Sequence, residues 1–296
     1  MHKKKEKIRK IIHVKEKEKK KNKDKIRRAI HAKEKRKKKT KNKIIKVPII
    51  EKNNAKETKK RKEARIPTGI PNFDKLIEKG FEKNSINMVV GSAGSGKTIF
   101  STQFLIEGMK KGEKCLYITF EEKKSRFYNN MKKFGWDLEE YERQGLFIFL
   151  EYTPGKVKTM LEEGGGEIEN TVITNKISRI VIDSITSFAL LFEDELAKRE
   201  AALALFNMIR DWNCTSVLTL EEDPITEDKK TSSKSMEFES DSIILIYYIR
   251  EKGKRKRFIE ILKMRGTKHS KEVYQFNIEK KGLSINTEPF NDSKYL

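Results

Sequence analysis

Short apolar runs alternate with amphipathic segments through most of the chain after residue 80. Near-continuous apolar runs predict buried strands at residues 85–91, 114–120, 146–150, 179–183, 215–220 and 242–249. Helical spacing is found between them at residues 97–112, 125–135 and 195–212. Strands that are buried on both faces and alternate with helices form mostly parallel sheets. The pattern therefore predicts an α/β fold with a mostly parallel central sheet flanked by helices.

Two further segments differ from this pattern. Residues 257–265 and 273–278 alternate more with polar residues and lie closer together, which predicts antiparallel strands at an edge of the sheet. Helical spacing also begins at Lys156 and ends near Leu161. Three glycines follow at 164–166, and each costs a helix about 1 kcal/mol relative to alanine. We expect them to interrupt any helix there.

Positive charge is concentrated in one part of the chain. Residues 1–65 contain 31 Lys and Arg but only 8 Asp and Glu, whereas the remaining 231 residues contain equal numbers of each sign. Apolar residues are too sparse in the basic segment to offset the entropy of ordering it. We therefore predict a Lys-rich arm and linker over residues 1–64, disordered or helical, and one globular domain over residues 65–296.

The arm is expected to bind nucleic acid. Many lysines make phosphate contacts that release counterions, ignore base sequence and weaken steeply with salt. Base stacking is not expected, because residues 1–64 contain no Phe, Tyr or Trp. An anionic membrane surface, an acidic protein and a dispensable solubilising tail are the alternative interpretations.

The composition favours a cytoplasmic protein. No apolar run approaches the roughly 20 residues that cross a bilayer, so no transmembrane segment is expected, and the charged N-terminus lacks the apolar region of a secretory signal. The two cysteines, Cys115 and Cys214, lie beside apolar strand-like runs. Buried thiols in a reducing compartment explain them better than a disulfide or a metal site.

The segment GSAGSGKT follows the first strong strand and opens the first helix. It comprises Gly91, Ser92, Ala93, Gly94, Ser95, Gly96, Lys97 and Thr98. Glycines allow the backbone to approach phosphates, and a helix N-terminus directs N–H groups at them. Lys97 is placed to reach the outer phosphates and Thr98 to bind Mg²⁺. The spacing predicts a nucleotide site.

Acidic residues end two of the predicted strands. Asp183 follows an apolar run, where its carboxylate would hold Mg²⁺ directly or through water. Helix capping or a turn is the alternative role for Asp183. Glu121 and Glu122 end the strand after the first helix, where a carboxylate could orient the attacking water. Two solvated acids at the start of a helix would fit these residues equally well.

Six segments together resemble one family. RIPTGIPNFDKLI, GSAGSGKT, YITFEE, VIDSIT, FESDSIILI and LKMRGTKHS occur in the order and spacing of the KaiC-like branch of the RecA/RadA ATPases, over about residues 65–286. The resemblance implies a RecA-like P-loop NTPase core, Mg²⁺-dependent ATP hydrolysis and a homo-hexameric ring with ATP between subunits. It also implies phosphate and Mg²⁺ roles for Lys97, Thr98 and Asp183.

The resemblance adds roles that the residues alone do not suggest. Glu121 and Glu122 match the paired glutamates that act on the attacking water. Lys263 and Arg265 match the pair that reaches the γ-phosphate of the neighbouring subunit, although by themselves they would suggest only a solvated strand face. His269 matches a family position near the nucleotide.

The chain also departs from its clock relatives. The clock members of the family have two such domains, whereas this sequence shows one, and an alignment through FESDSIILI implies that their autophosphorylated Ser-Thr pair corresponds to Glu237 and Phe238. Autokinase activity is therefore not expected. The alternatives to a slow ring ATPase are a DNA-dependent recombination or repair ATPase and a nucleotide-dependent signalling scaffold with little turnover.

Overall fold

The structure is a computed structural model. It describes residues 64–153, 155–156, 159, 166–189, 192, 194–224, 239–251 and 253–291. Contacts divide the chain into two units, Met1–Arg61 and Lys62–Leu296, and all the described residues belong to the second. Within those residues, no helix combines the length and apolar character needed to span a bilayer. The boundary predicted at residues 64–65 stays a prediction.

Strands and helices alternate along most of the described chain. The strands are β1 (Arg65–Ile66), β2 (Phe81–Glu82), β3 (Ile86–Gly91), β4 (Cys115–Thr119), β5 (Phe147–Glu151), β6 (Arg179–Asp183), β7 (Thr215–Glu221), β8 (Ser242–Glu251), β9 (Lys254–Met264), β10 (Tyr274–Glu279) and β11 (Gly282–Pro289). The helices are α1 (Phe73–Leu76), α2 (Lys97–Lys110), α3 (Lys124–Lys132), α4 (Leu138–Arg143), α5 (Gly166–Asn175), α6 (Thr186–Ala189) and α7 (Glu195–Asp211).

Nine strands form one sheet in the order β11-β10-β9-β8-β3-β7-β6-β4-β5. The six strands from β8 to β5 in this order pair in parallel, whereas β8 through β11 pair antiparallel. The predicted α/β class, the mostly parallel sheet and the antiparallel edge are confirmed. Strands β1 and β2 form a separate two-stranded sheet.

Both faces of the central sheet are buried. In β3, Val89 packs in a core with Phe100 and Phe104 of α2 on one face. Its neighbours Met88 and Val90 point to the opposite face, where they pack with residues of α7. This explains why the strand is apolar at nearly every position.

The two cysteines are both buried and free, as predicted. Burial raises the pKa of both the Cys115 and the Cys214 thiol. Both thiols are therefore protonated at neutral pH, and neither is a nucleophile.

Some elements were not predicted. Strand β11 pairs with β10 across a two-residue turn, with Glu279 opposite Gly282, and the apolar signal in β11 is weak because few of its residues face the core. Helix α5 begins at Gly166, the last of the three consecutive glycines. Most of the helical segment predicted from Lys156 to about Leu161 lies outside the described residues.

Candidate functional site

The loop between β3 and α2 has the backbone shape that phosphate binding requires. Gly94 and Gly96 have φ values of +74° and +116°, a left-handed region that favours glycine. A Cβ on Gly91 would lie 2.5 Å from the carbonyl oxygen of Ile246, so β8 leaves no room for a side chain there. Helix α2 begins at Lys97, and the N–H groups of its first turn have no carbonyl partner within the helix.

Lys97 extends along this loop. Its ammonium donates to the carbonyl oxygens of Gly91 at 2.8 Å and Ser92 at 3.0 Å, and it lies 3.8 Å from the carboxylate of Glu221. Burial lowers the pKa of Lys97, and the carboxylates of Glu221, Asp183 and Glu121 partly offset that effect. The cation is thus surrounded by acceptors that a triphosphate could replace.

Asp183 ends β6 beside the start of α2. Its Oδ2 atom accepts hydrogen bonds from the Thr98 hydroxyl at 2.7 Å and the Tyr117 hydroxyl at 2.6 Å. The Thr219 hydroxyl donates to Oδ1. The peptide bond from Asp183 to Ser184 is cis.

The oxygens of Thr98 and Asp183 fit Mg²⁺, which prefers hard oxygen ligands and retains several waters. In the part of the chain that the structure describes, no group of three or more His, Cys, Asp and Glu side chains could hold a metal ion. Water and nucleotide oxygens would complete the coordination of an ion held by Thr98 and Asp183.

Glu121 and Glu122 follow β4 and have different environments. Glu121 Oε1 accepts hydrogen bonds from the Ser187 hydroxyl at 2.6 Å and the Ser184 hydroxyl at 3.2 Å. Glu122 Oε1 accepts from the Asn130 side-chain amide at 3.2 Å. Burial raises the pKa of Glu122, and the Asn130 hydrogen bond partly offsets this. A carboxylate with a raised pKa is better suited to accept a proton.

Eight of the predicted residues line one open cavity of about 450 Å³. Those lining it are Ala93, Gly94, Gly96, Lys97, Thr98, Glu121, Glu122 and Asp183. The cavity lies at the carboxyl ends of β3, β4, β6 and β7, the edge at which open parallel sheets bind ligands. Gly91, Ser92 and Ser95 belong to the same loop but do not line the cavity.

Arg257 also lines the cavity, although no motif in the sequence points to it. One of its guanidinium nitrogens donates to the Gly94 carbonyl at 3.1 Å, and the group lies over the Tyr248 ring at 4.2 Å. Its Nε atom is buried without a hydrogen-bond partner, so it could donate to an anion. Its sequence context, the basic stretch 250–257, resembles a solvated hairpin, and only the pairing of β8 with β9 brings Arg257 to the loop.

Glu221 likewise becomes a site residue only in the folded chain. It ends β7, next to β3 in the sheet, and lines the cavity. Its backbone N–H donates to the Thr186 hydroxyl at 2.7 Å. Glu221 follows the apolar run of β7 as Asp183 follows that of β6, but it comes 124 residues after Lys97, and only the folded chain brings the two side chains within 3.8 Å.

Lys263 and Arg265 do not lie at this cavity. Gly91, at the cavity, pairs with Ile246 of β8, and Ile246 pairs with Ile259 of β9. Lys263 comes four residues after Ile259, so it lies about 13 Å further along β9, toward the amino ends of the parallel strands. Its ammonium donates to the Ser240 carbonyl at 2.8 Å, and Arg265 lies 3.7 Å from the carboxylate of Asp241.

His269 lies in the connection between β9 and β10, and it too is absent from the cavity lining. Its Nδ1 atom is 2.8 Å from the Ser270 carbonyl oxygen. Glu237 and Phe238, and all but the last residue of the predicted arm and linker, lie outside the described residues.

Comparisons with known proteins identify the family of the chain. A family described as "ATPase: KaiC" matches residues 66–289. The circadian clock protein KaiC3 of Synechocystis sp. is 34% identical over 230 residues, which are 75% of this chain and 45% of that protein. The chain therefore spans less than half the length of this relative.

Two archaeal proteins match over nearly their whole length. The UPF0273 protein PH0284 of Pyrococcus horikoshii is 30% identical over 234 residues, 75% of this chain and 93% of that protein. The crystal structure of the KaiC-like protein PH0186 of the same species superposes with a TM-score of 0.67 at 33% identity, covering 76% of this chain and 99% of that one.

Proposed function

Because the chain belongs to the KaiC family of ATPases, we propose that it binds ATP with Mg²⁺ in the cavity beside the 91–98 loop and hydrolyses it. The observation that supports this most strongly is the convergence of Lys97, Thr98, Asp183, Glu121 and Glu122 on that cavity. We also propose that it acts in the cytoplasm as a homo-hexameric ring with ATP between subunits.

The triphosphate would lie along the loop and the first turn of α2. Backbone N–H groups and Lys97 would contact its oxygens, and Arg257 would approach from β9 with its unpaired Nε donor. Thr98 and Asp183 would hold Mg²⁺, which when bound neutralises charge on the phosphates. These contacts would bring cations and dipoles to the positions where negative charge increases during phosphoryl transfer.

Glu121 and Glu122 would orient and deprotonate the attacking water. Hydrogen bonds from Ser184 and Ser187 fix the direction of the Glu121 carboxylate, and Asn130 fixes that of Glu122. Fixed carboxylates need little reorganisation when the water attacks.

Lys263 and Arg265 would act on the nucleotide of a neighbouring subunit. They lie toward the opposite edge of the sheet from the loop of their own chain, so they could complete only a site formed with another copy. His269, in the connection that follows β9, is proposed to approach the nucleotide from the same side.

Replacing Glu121 or Glu122 with glutamine is expected to lower the turnover number by 10²- to 10⁴-fold, because glutamine cannot accept the proton. ATP affinity should change little, since the shape of the side chain is retained. Steady-state phosphate release and equilibrium ATP binding measure the two effects separately. Glu139→Gln, an exposed surface substitution, is the control. Normal turnover in both site variants would exclude this role.

The basic segment over residues 1–64 is proposed to tether the ring to nucleic acid. The basis is its charge, since the rest of the chain is electrically balanced. Such binding should weaken steeply with salt and show no sequence preference.

ATP turnover of the full-length protein, with and without single-stranded DNA, tests the function. We expect a slow rate that DNA leaves unchanged, and DNA binding that falls when the five lysines within residues 33–39 become glutamine. Lys97→Ala is the control for contaminating ATPases. A many-fold DNA stimulation would favour a recombination or repair ATPase. Ring assembly that needs ATP without turnover would favour a signalling scaffold.

Autokinase activity is not expected, because Glu237 and Phe238 occupy the positions that correspond to the phosphorylated pair. Absence of labelled phosphate on the protein after incubation with radioactive ATP would agree with this.

A further inference from the structure

Tyr117 is a buried polar side chain that contacts Asp183, one of the two proposed metal ligands. It lies in the middle of β4, which pairs with β6 so that Tyr117 is opposite Val181 and Thr119 is opposite Asp183. Residues two apart on a strand face the same side of the sheet. Tyr117 and Asp183 are therefore diagonal neighbours on the face covered by α2.

The phenol ring has little freedom to move. Tyr117 is 1% exposed, and its ring stacks on Phe149 with centroids 5.5 Å apart and packs against Phe127 at 4.4 Å. A phenol is neutral at physiological pH and can donate a hydrogen bond.

The Tyr117 hydroxyl and the Thr98 hydroxyl donate hydrogen bonds to the same carboxylate oxygen of Asp183. Tyr117 donates to Asp183 Oδ2 at 2.6 Å, and Thr98 donates to that atom at 2.7 Å. Thr219 holds the other oxygen. The Thr98 oxygen would also bind the cation, whereas Tyr117 is a donor to Oδ2 that takes no part in binding it.

We infer that Tyr117 is a positioning residue, whose hydroxyl fixes the Asp183 carboxylate in the orientation needed to hold Mg²⁺ with the bound nucleotide. The inference rests on the proposed function, in which Thr98 and Asp183 hold this ion. Partners of metal ligands commonly change metal affinity 10- to 100-fold when removed.

The test is Tyr117→Phe in the full-length protein, which removes one oxygen and leaves the ring. Binding of a fluorescent ATP analogue is measured across a Mg²⁺ series and in EDTA, and Mn²⁺ binding to the complex is followed by electron paramagnetic resonance. We expect the half-saturating metal concentration to rise about tenfold, with the affinity in EDTA unchanged. An unchanged metal requirement would overturn the inference, as would an equal loss of affinity in EDTA.

Tyr152→Phe is the matched control, because the Tyr152 hydroxyl donates to Glu167 at 2.8 Å, away from the cavity. It should leave the metal requirement unchanged. Phe149→Leu retains the Tyr117 hydroxyl but removes the ring that stacks on Tyr117. It should raise the half-saturating metal concentration less than Tyr117→Phe does. Thermal denaturation verifies that each variant is folded.

Asp183→Asn separates this inference from the proposed function. If Asp183→Asn raises the metal requirement and Tyr117→Phe does not, the positioning role is wrong while the metal site stands. If neither variant changes it, the proposed metal site itself is wrong.

Discussion

Replacing Lys97 with alanine is expected to lower ATP turnover by about 10³-fold or more, because the substitution removes the cation nearest the phosphates. The structure adds a second reason. Without this ammonium, the carboxylates of Glu221, Asp183 and Glu121 would face the cavity with no compensating charge from the loop. An anionic triphosphate would then be repelled, so ATP affinity should fall together with turnover.

Phosphate release and equilibrium ATP binding measure this effect. Lys110→Ala is the control, since Lys110 is exposed at the other end of the same helix and should change neither quantity. If Lys97→Ala retained both affinity and turnover within tenfold of the parent, the cavity would not be the ATP site.

Replacing Lys263 or Arg265 with alanine is expected to reduce turnover by 10³- to 10⁵-fold, the effect typical of a cation supplied by a neighbouring subunit. ATP binding should fall much less, since neither side chain lines the cavity of its own chain. Stability should change by less than about 1 kcal/mol for Arg265, whose ion pair with Asp241 is half-exposed.

Mixing subunits distinguishes action within a chain from action between chains. Rings made only of Lys97→Ala subunits or only of Arg265→Ala subunits should be inactive. In a mixed ring, an interface should hydrolyse ATP where an Arg265→Ala subunit supplies the intact loop and a Lys97→Ala subunit supplies the intact Arg265. A random one-to-one mixture contains about a quarter of such interfaces in a closed ring, so activity should recover. Lys254→Ala, an exposed substitution on the same strand, is the control. No recovery would contradict the proposed arrangement.

Residues 91–98 show what the local sequence pattern is sufficient to predict. Strand β3, the loop and α2 occur consecutively, so their spacing and glycines determine their geometry without help from distant residues. The predicted strand at 85–91 and the helix start at Lys97 agree with the structure within one residue.

The contact between Thr98 and Asp183 could not be predicted from motif spacing alone. Thr98 and Asp183 are 85 residues apart in the chain and are joined by a 2.7 Å hydrogen bond. The sequence indicates that each lies at the end of its element. Only the strand order β3-β7-β6-β4 brings those ends together, and strand order depends on long-range packing.

The sequence by itself determined the α/β class, the family, the glycine-rich spacing of residues 91–98 and the concentration of basic residues in 1–65, because each depends on local periodicity, motif spacing or composition. Tertiary structure alone decided that Arg257 and Glu221 line the cavity, that Tyr117 contacts Asp183, and that Lys263 lies toward the far edge of the sheet. These relations depend on which strands pair and in what register. Strand pairing depends on burying both faces of the sheet at once, and this cannot be read from any single segment of the sequence.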